Sequence, residues 1–133
     1  LMDKVLEFLK KNPTYFLATC DGDQPESRPF GTIAKFEDKL YIQTGRSKNV
    51  FKQIEANPKI NICGWDSEAG AWLRIDATAV IDDRDEASEA VLSEYPNLRA
   101  MYAPGDGNCV VFYLKDATAR FCSFTAPEEM HTF

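Results

Sequence analysis

Histidine is nearly missing from this chain: the one residue is His131. Catalysis that depends on a buried imidazole therefore has no evident carrier, and most zinc sites lose their usual nitrogen ligand. Cysteine does not fill the gap. Cys20, Cys63, Cys109 and Cys122 stand too far apart for a Cys-x-x-Cys metal or redox pair. Each falls in a stretch that reads as strand, where a reduced cysteine packs as a small hydrophobe. No apolar run approaches the roughly 20 residues that span a bilayer, and the N-terminal stretch is amphipathic and charged, unlike a signal peptide. The expectation is a cytoplasmic protein with no membrane partner.

Positive charge is also short. The formal net charge is −6, which argues against nucleic acid as a partner, because phosphate neutralisation needs clustered Lys and Arg. A local basic pocket for a single phosphate remains compatible with that balance. There is no Gly-x-Gly-x-x-Gly loop, no nucleophile elbow and no carboxylate pair of the glycosidase kind. The acidic run Asp82-Asp83-Arg84-Asp85-Glu86 reads as a solvated helix start rather than a metal site.

What is present fits one domain over residues 1–133, with 44% apolar residues, 27% charged residues and length enough for a core without staples. Leu1, Met2, Val5, Leu6 and Leu9 fall on one face at helical spacing, and Asn12-Pro13 stops that helix. Three β segments follow as an antiparallel meander: 15–20, 27–36 with Pro29 at its edge, and 40–44, turned at Asp21-Gly22-Asp23 and Glu37-Asp38-Lys39. A short helix begins after Gly45-Arg46 with Ser47 as N-cap, buries Val50, Phe51 and Ile54, and ends at Asn57-Pro58. Strands are expected over 59–65 and 71–81, and a helical region over 82–101 that Pro96 divides. After the Pro104–Asn108 loop come two more strands, 109–115 and 118–124, and a loose polar tail from Ala126. About seven short strands with interspersed helices imply a mainly β fold, a closed or split β-barrel with peripheral helices.

The most informative residues lie on two adjacent strands. Arg28 sits on one strand, and Thr44 ends another, just before Ser47, Lys48 and a helix start. A helix N-terminus offers free N–H groups and partial positive charge to a phosphate, and Arg28 adds a planar fork. The same residues also read as a capped surface helix with a solvated lysine. Trp72 and Arg74 share a face of one strand; the arginine serves a ligand or packs its stem with its head in water. Trp65 and Tyr102 either stack on a ring or fill core and interface.

The segments Pro25–Phe30, Leu40–Thr44, Ser47–Val50 and Gln53–Ile60, with the leading helix and Tyr15–Thr19 before them, resemble the pyridoxamine-5′-phosphate-oxidase-like FMN-binding split-barrel family. The resemblance is densest over residues 15–65. It implies FMN as cofactor and a homodimer with two sites at the interface. It implies that Arg28 serves the phosphate or ribityl region and that Pro29, Phe30, Gly31 and Thr32 run along the isoalloxazine ring. Ile42, Gln43 and Thr44 would meet the flavin's polar rim, and Ser47 and Lys48 the phosphate. Trp72 and Arg74 would stand near the ring, where an arginine stabilises negative charge. The partner chain would cover the other face of the ring.

The Arg/His-containing substrate motif of true pyridoxamine-phosphate oxidases has no counterpart in Ala126–Phe133, and one basic residue follows Ser47 where those oxidases tend to carry two. The chain is therefore more similar to short stress-related and nitroimidazole-resistance-type members. The expected function is an FMN-dependent oxidoreductase using a small-molecule substrate or electron acceptor. The alternatives are a non-catalytic flavin carrier or sensor, and a split barrel that holds haem, another ligand or a partner protein.

Overall fold

The computed structural model describes residues 2–133, so Leu1, expected on the first apolar helix face, lies outside the described residues. Helix α1 (Met2–Lys11) buries Val5 and Leu9 and carries Lys10 and Lys11 in its last turn, where cations suit the helix dipole. It ends where expected: both the backbone N–H and the side-chain amide of Asn12 donate to the Phe8 carbonyl, at 3.0 and 3.1 Å. The helix lies against Gly64, where a Cβ would come within 3.1 Å of Phe8 and 3.3 Å of Leu9.

Eight strands form one antiparallel sheet: β1 (Tyr15–Asp21), β2 (Gln24–Phe30), β3 (Ala34–Phe36), β4 (Lys39–Gly45), β5 (Lys59–Asp66), β6 (Ala71–Asp82), β7 (Cys109–Ser123) and β8 (Glu129–Thr132). The order is β2-β1-β5-β6-β7-β4-β3, with β8 added to β7. Strands β6 and β7 run through both halves of the molecule. Their first-half and second-half pairings meet where the register shifts between Asp76 and Thr78. There Asp116 takes a positive φ of 51°. One edge of β7 is taken by β4 over residues 109–113 and by β8 over residues 118–121. This is the mainly β split barrel with peripheral helices.

The main core lies between the strands, α1 and α2 (Asn49–Ala56), and includes Leu9, Leu17, Ile42, Ile54, Ile62, Leu73, Ile75 and Phe112. A smaller core behind β4 packs Tyr41 and Val111 against Ala87 and Val91 of α3 (Asp85–Leu92). A 3₁₀ turn, Pro96–Ala100, follows α3. Proline at its first position supplies no N–H where none could be paired.

Five expectations are corrected. The first three β segments are not a meander: β2 pairs with β1 alone, and the β3–β4 hairpin joins the other end of the sheet, where β4 pairs with β7. The segment 27–36 is two strands, because the chain leaves β2 at Phe30 and re-enters the sheet at Ala34. Pro25 and Pro29 are tolerated because β2 is an edge strand. The two strands expected over 109–124 are one, since the polar Lys115-Asp116 pair makes a bend rather than a break. The tail expected to be loose instead forms β8, and Phe133 exchanges backbone hydrogen bonds with Ala117 at 2.8 and 2.9 Å. Ser47 is not the cap of α2: Lys48 holds that position in extended conformation, without a side-chain cap bond. Among the described residues no helix is long and apolar enough to cross a membrane, and no group of His, Cys, Asp and Glu could hold a metal ion.

Candidate functional site

A cleft of about 490 Å³ opens between the end of β2, β4, the start of α2 and the 3₁₀ turn. That volume lies within the range of small-molecule and cofactor sites, roughly 300–1,000 Å³. Eight of the residues expected to bind the flavin line it: Arg28, Pro29, Phe30, Gly31, Thr32, Gln43, Thr44 and Lys48. Their convergence has a local cause. The hydroxyl of Thr32 accepts the Gln43 backbone N–H at 3.0 Å, and Tyr15 donates its buried hydroxyl to the Thr32 carbonyl at 2.5 Å. These bonds tie the connection after β2 to the middle of β4 and to the start of β1.

The opposite wall was not legible in the sequence. Tyr95, Asn97, Leu98, Met101 and Tyr102 bring mostly apolar surface from the 3₁₀ turn and its flanks. Tyr95 fixes that wall by bonding both backbone groups of Ile33: its hydroxyl accepts the N–H at 3.0 Å and donates to the carbonyl at 3.1 Å. Of these five residues only Tyr102 had drawn attention, and the Pro96 break signalled a bend without saying what it faces.

The floor near α2 depends on a second set of ties. The Asp106 carboxylate accepts the backbone N–H groups of Ala103, Asn108 and Cys109 at 2.6–2.9 Å, which holds it below the usual carboxylate range. The loop so closed presents Asn108, whose side-chain oxygen accepts the Ser47 N–H at 3.2 Å and whose carbonyl accepts the Arg46 N–H at 2.8 Å. Gly45 allows this approach: a Cβ there would sit 3.2 Å from both the Asn108 side chain and the Tyr102 hydroxyl.

Within the cleft several donors are unclaimed. Thr44 borders the cleft, but it is 2% exposed and its hydroxyl is buried, with no hydrogen-bond partner among the described residues, which costs free energy. The Lys48 ammonium is exposed and forms no ion pair among them. The backbone N–H groups of Asn49 and Val50 open α2 and have no carbonyl within the helix to accept them. Arg28 is half-buried. Its Nη1 donates to the Thr19 hydroxyl at 2.7 Å and its Nη2 to the Gln53 side-chain oxygen at 3.1 Å. Burial pulls its pKa down while nearby Glu26 opposes that effect, and a guanidinium stays charged in either case. An anionic group with a planar apolar body fits these donors and walls.

The other singled-out residues stand elsewhere within the chain. Ile42 is fully buried in the main core, and Ser47 is turned toward Asn108 outside the cleft lining. Trp72 and Arg74 border a separate depression with Cys122, Ser123, Ala126 and Glu128. Trp65 and Trp72 cluster with Phe124 at centroid distances of 5.1–6.5 Å. His131 lies edge-on to Phe121 and bonds Glu129 at 2.8 Å, also outside the cleft lining.

Comparison with known proteins agrees with this architecture. A solved NimC/NimA family protein from Clostridium acetobutylicum is 39% identical, with a TM-score of 0.95 over 99% of this chain and 92% of that one. General stress protein 26 from Bacillus anthracis is 18% identical, with a TM-score of 0.76 over 98% and 97% of the two chains. A haem-binding protein from Mycobacterium smegmatis shares the fold at 12% identity and a TM-score of 0.69, over 94% of this chain and 55% of that one. No curated protein matches. The family described as pyridoxamine 5′-phosphate oxidase matches residues 1–122, and the chain belongs to that family.

Proposed function

We propose that this protein is an FMN-binding flavoprotein, an FMN-dependent oxidoreductase acting on a small molecule, and that it works as a homodimer. The observation that carries the reading is the convergence of unclaimed donors on one apolar-walled cleft. These are the Lys48 ammonium, two N–H groups of α2 and part of the Arg28 fork. Lys48, the helix start and Arg28 would hold the phosphate. Pro29 to Thr32, Gln43 and Thr44 would border the ring. FMN, once bound, supplies the hydride and electron chemistry, while the protein contributes binding, orientation and electrostatics. A site of this kind needs no histidine to move protons.

The dimer is supported by the outer face of β1, β5, β6 and β7. Phe16, Cys63, Arg74 and Arg120 align across the four strands in one register row, and Trp65, Trp72 and Cys122 in the next. Phe16 and Trp65 are about half exposed. The exposed aromatics Phe16, Trp65 and Phe124 on and beside this face fit an interaction site. Arg74 has no ion-pair partner among the described residues and stands opposite Arg120. A second copy covering this face would bring Trp72 and Arg74 to the ring's open side.

The phosphate test compares FMN with riboflavin. Lys48→Ala should weaken FMN binding by roughly one to two orders of magnitude, and Arg28→Ala by at least as much, because charge-assisted bonds contribute about 1.5–3 kcal/mol each. Riboflavin affinity should change little. Unchanged FMN dissociation constants in both variants would place the cofactor elsewhere. One solved neighbour is named an F420 reductase, so mass spectrometry of the molecule released on denaturation should return FMN and not a deazaflavin. Reduction by a nicotinamide cofactor with reoxidation by an acceptor is expected of an oxidoreductase; bound flavin without turnover would favour a carrier.

A further inference from the structure

We propose that Gln53, locked by Glu26 and Thr19, is a positioning residue that aims the Arg28 guanidinium and leaves one edge of its fork for the ligand. This rests on the reading of the cleft as a phosphate site. Gln53 is anomalous where it stands. It lies on the apolar face of α2 beside Val50 and Ile54, and is 9% exposed. A buried amide costs free energy unless its groups are paired. Every pairing it makes leads to Arg28.

The Gln53 side-chain oxygen accepts from Arg28 Nη2 at 3.1 Å and from the Thr19 hydroxyl at 2.5 Å. The same hydroxyl, on a residue 2% exposed, accepts from Arg28 Nη1 at 2.7 Å. The Gln53 amide nitrogen donates to Glu26 Oε1 at 2.6 Å. A carboxylate accepts only, so Glu26 fixes which end of the amide faces it and turns the oxygen toward the guanidinium. The network joins β1, β2 and α2, and of these β2 and the start of α2 line the cleft.

A guanidinium has five N–H donors. The two on Nη1 are taken by Thr19 and by the carbonyls of Leu17 and Glu26 at 3.3 and 3.4 Å. One on Nη2 is taken by Gln53. The N–H on Nε and the second on Nη2 have no partner among the described residues. These two lie parallel on one edge of the planar group, the arrangement that receives two phosphate oxygens. Gln53 and Thr19 thus occupy the end of the fork and leave its side free. Without them the long side chain regains rotamers that point this edge away.

The test is a double-mutant cycle on the full chain, titrated with FMN and with riboflavin. Gln53→Leu should weaken FMN about tenfold, which corresponds to about 1.4 kcal/mol, and change riboflavin by less than about twofold. In the Arg28→Ala background the same change should have no further effect on FMN. Thr19→Val, close to isosteric, should show the same selectivity and carries the cycle if Gln53→Leu does not fold. Parallel loss of both flavins, a loss undiminished without Arg28, or FMN affinity unchanged in both variants would overturn the positioning role. An Arg28→Ala protein that binds FMN normally removes the phosphate site and the positioning role together. An effective Arg28→Ala with silent Gln53 and Thr19 variants removes only the positioning role.

Discussion

Single residues with several partners set the local energetics. Asp82 accepts the backbone N–H of Arg84, two bonds from its guanidinium and the Tyr41 hydroxyl, at 2.7–3.1 Å. Arg84 also reaches Glu37 at 2.8 Å, so the network joins the β3–β4 turn to the end of β6. The Arg84 bonds hold the Asp82 carboxyl down at about 2, and burial pushes the Tyr41 hydroxyl up to about 12. For Asp82 the folded value lies below the ordinary 3.8. Its contribution is therefore full above that value and lost as pH falls toward 2. Asp82→Asn should cost about 2 kcal/mol at pH 7, and the gap from wild type should shrink by about half at pH 3. Urea titrations at the two pH values check this; an equal gap at both would show that the charge is not what stabilises. Cys109 gives a second expectation. It is buried, and that burial pushes its thiol up. It should resist alkylation at pH 8 until the protein unfolds, while Cys20, Cys63 and Cys122 are only partly buried. Alkylation of Cys109 at the rate of the other three in the folded protein would contradict it.

At the scale of elements, hydrophobic periodicity and turn residues carried most of the reading. Helix α1, strands β1, β4, β5 and β6, and helices α2 and α3 all lie where apolar spacing and Asn-Pro or Asp-Gly signals put them. The misreading of 109–124 has a local cause: the polar Lys115-Asp116 pair cannot say whether a strand stops or bends. Asp116 adopts positive φ and the ladder resumes at Thr118, because β6 continues alongside. In the same way, residues 129–132 have weak strand character alone but meet a free edge of β7. Removing residues 129–133 should therefore cost about 3 kcal/mol, from lost ladder bonds and the half-buried Phe133 ring. An unchanged urea midpoint in the shortened chain would mean that β8 contributes nothing in solution.

At the scale of the molecule, the sheet presents an outer face that carries exposed aromatics, and the cleft lies at the end of β2 and β4. Phe16 and the Trp65, Trp72 and Phe124 cluster leave much apolar surface in contact with water. If a second copy covers it, Phe16→Glu should yield a monomer in sedimentation at micromolar concentration and release the flavin, because one wall of the site departs. Lys48→Ala should remain a dimer while binding FMN weakly. A Phe16→Glu dimer with bound flavin would place the interface on another face.

Reading the chain alone was enough for the class of the fold, the helices, strands β1, β4, β5 and β6, and eight of the expected ligand residues that line the cleft. The elements follow from apolar spacing and turn residues, Arg28 and Lys48 also from a cation beside a helix start, and the other cleft residues from the family resemblance. Tertiary structure alone decided the rest. The apolar wall at Tyr95, Leu98 and Met101 lies more than 50 residues from Thr44 along the chain and reaches the cleft only because Tyr95 docks on Ile33. Gln53 reads in sequence as one polar residue on an apolar helix face; its meaning comes from Thr19 and Glu26, 34 and 27 residues distant. Ile42, expected at the flavin's rim, alternates inward into the core, since neighbours on a strand face opposite sides. Trp72 and Arg74 share a face, as their spacing required, but the sheet turns that face away from the cleft of their own chain. Local spacing settles which residues share a side; only the closed sheet settles what that side meets.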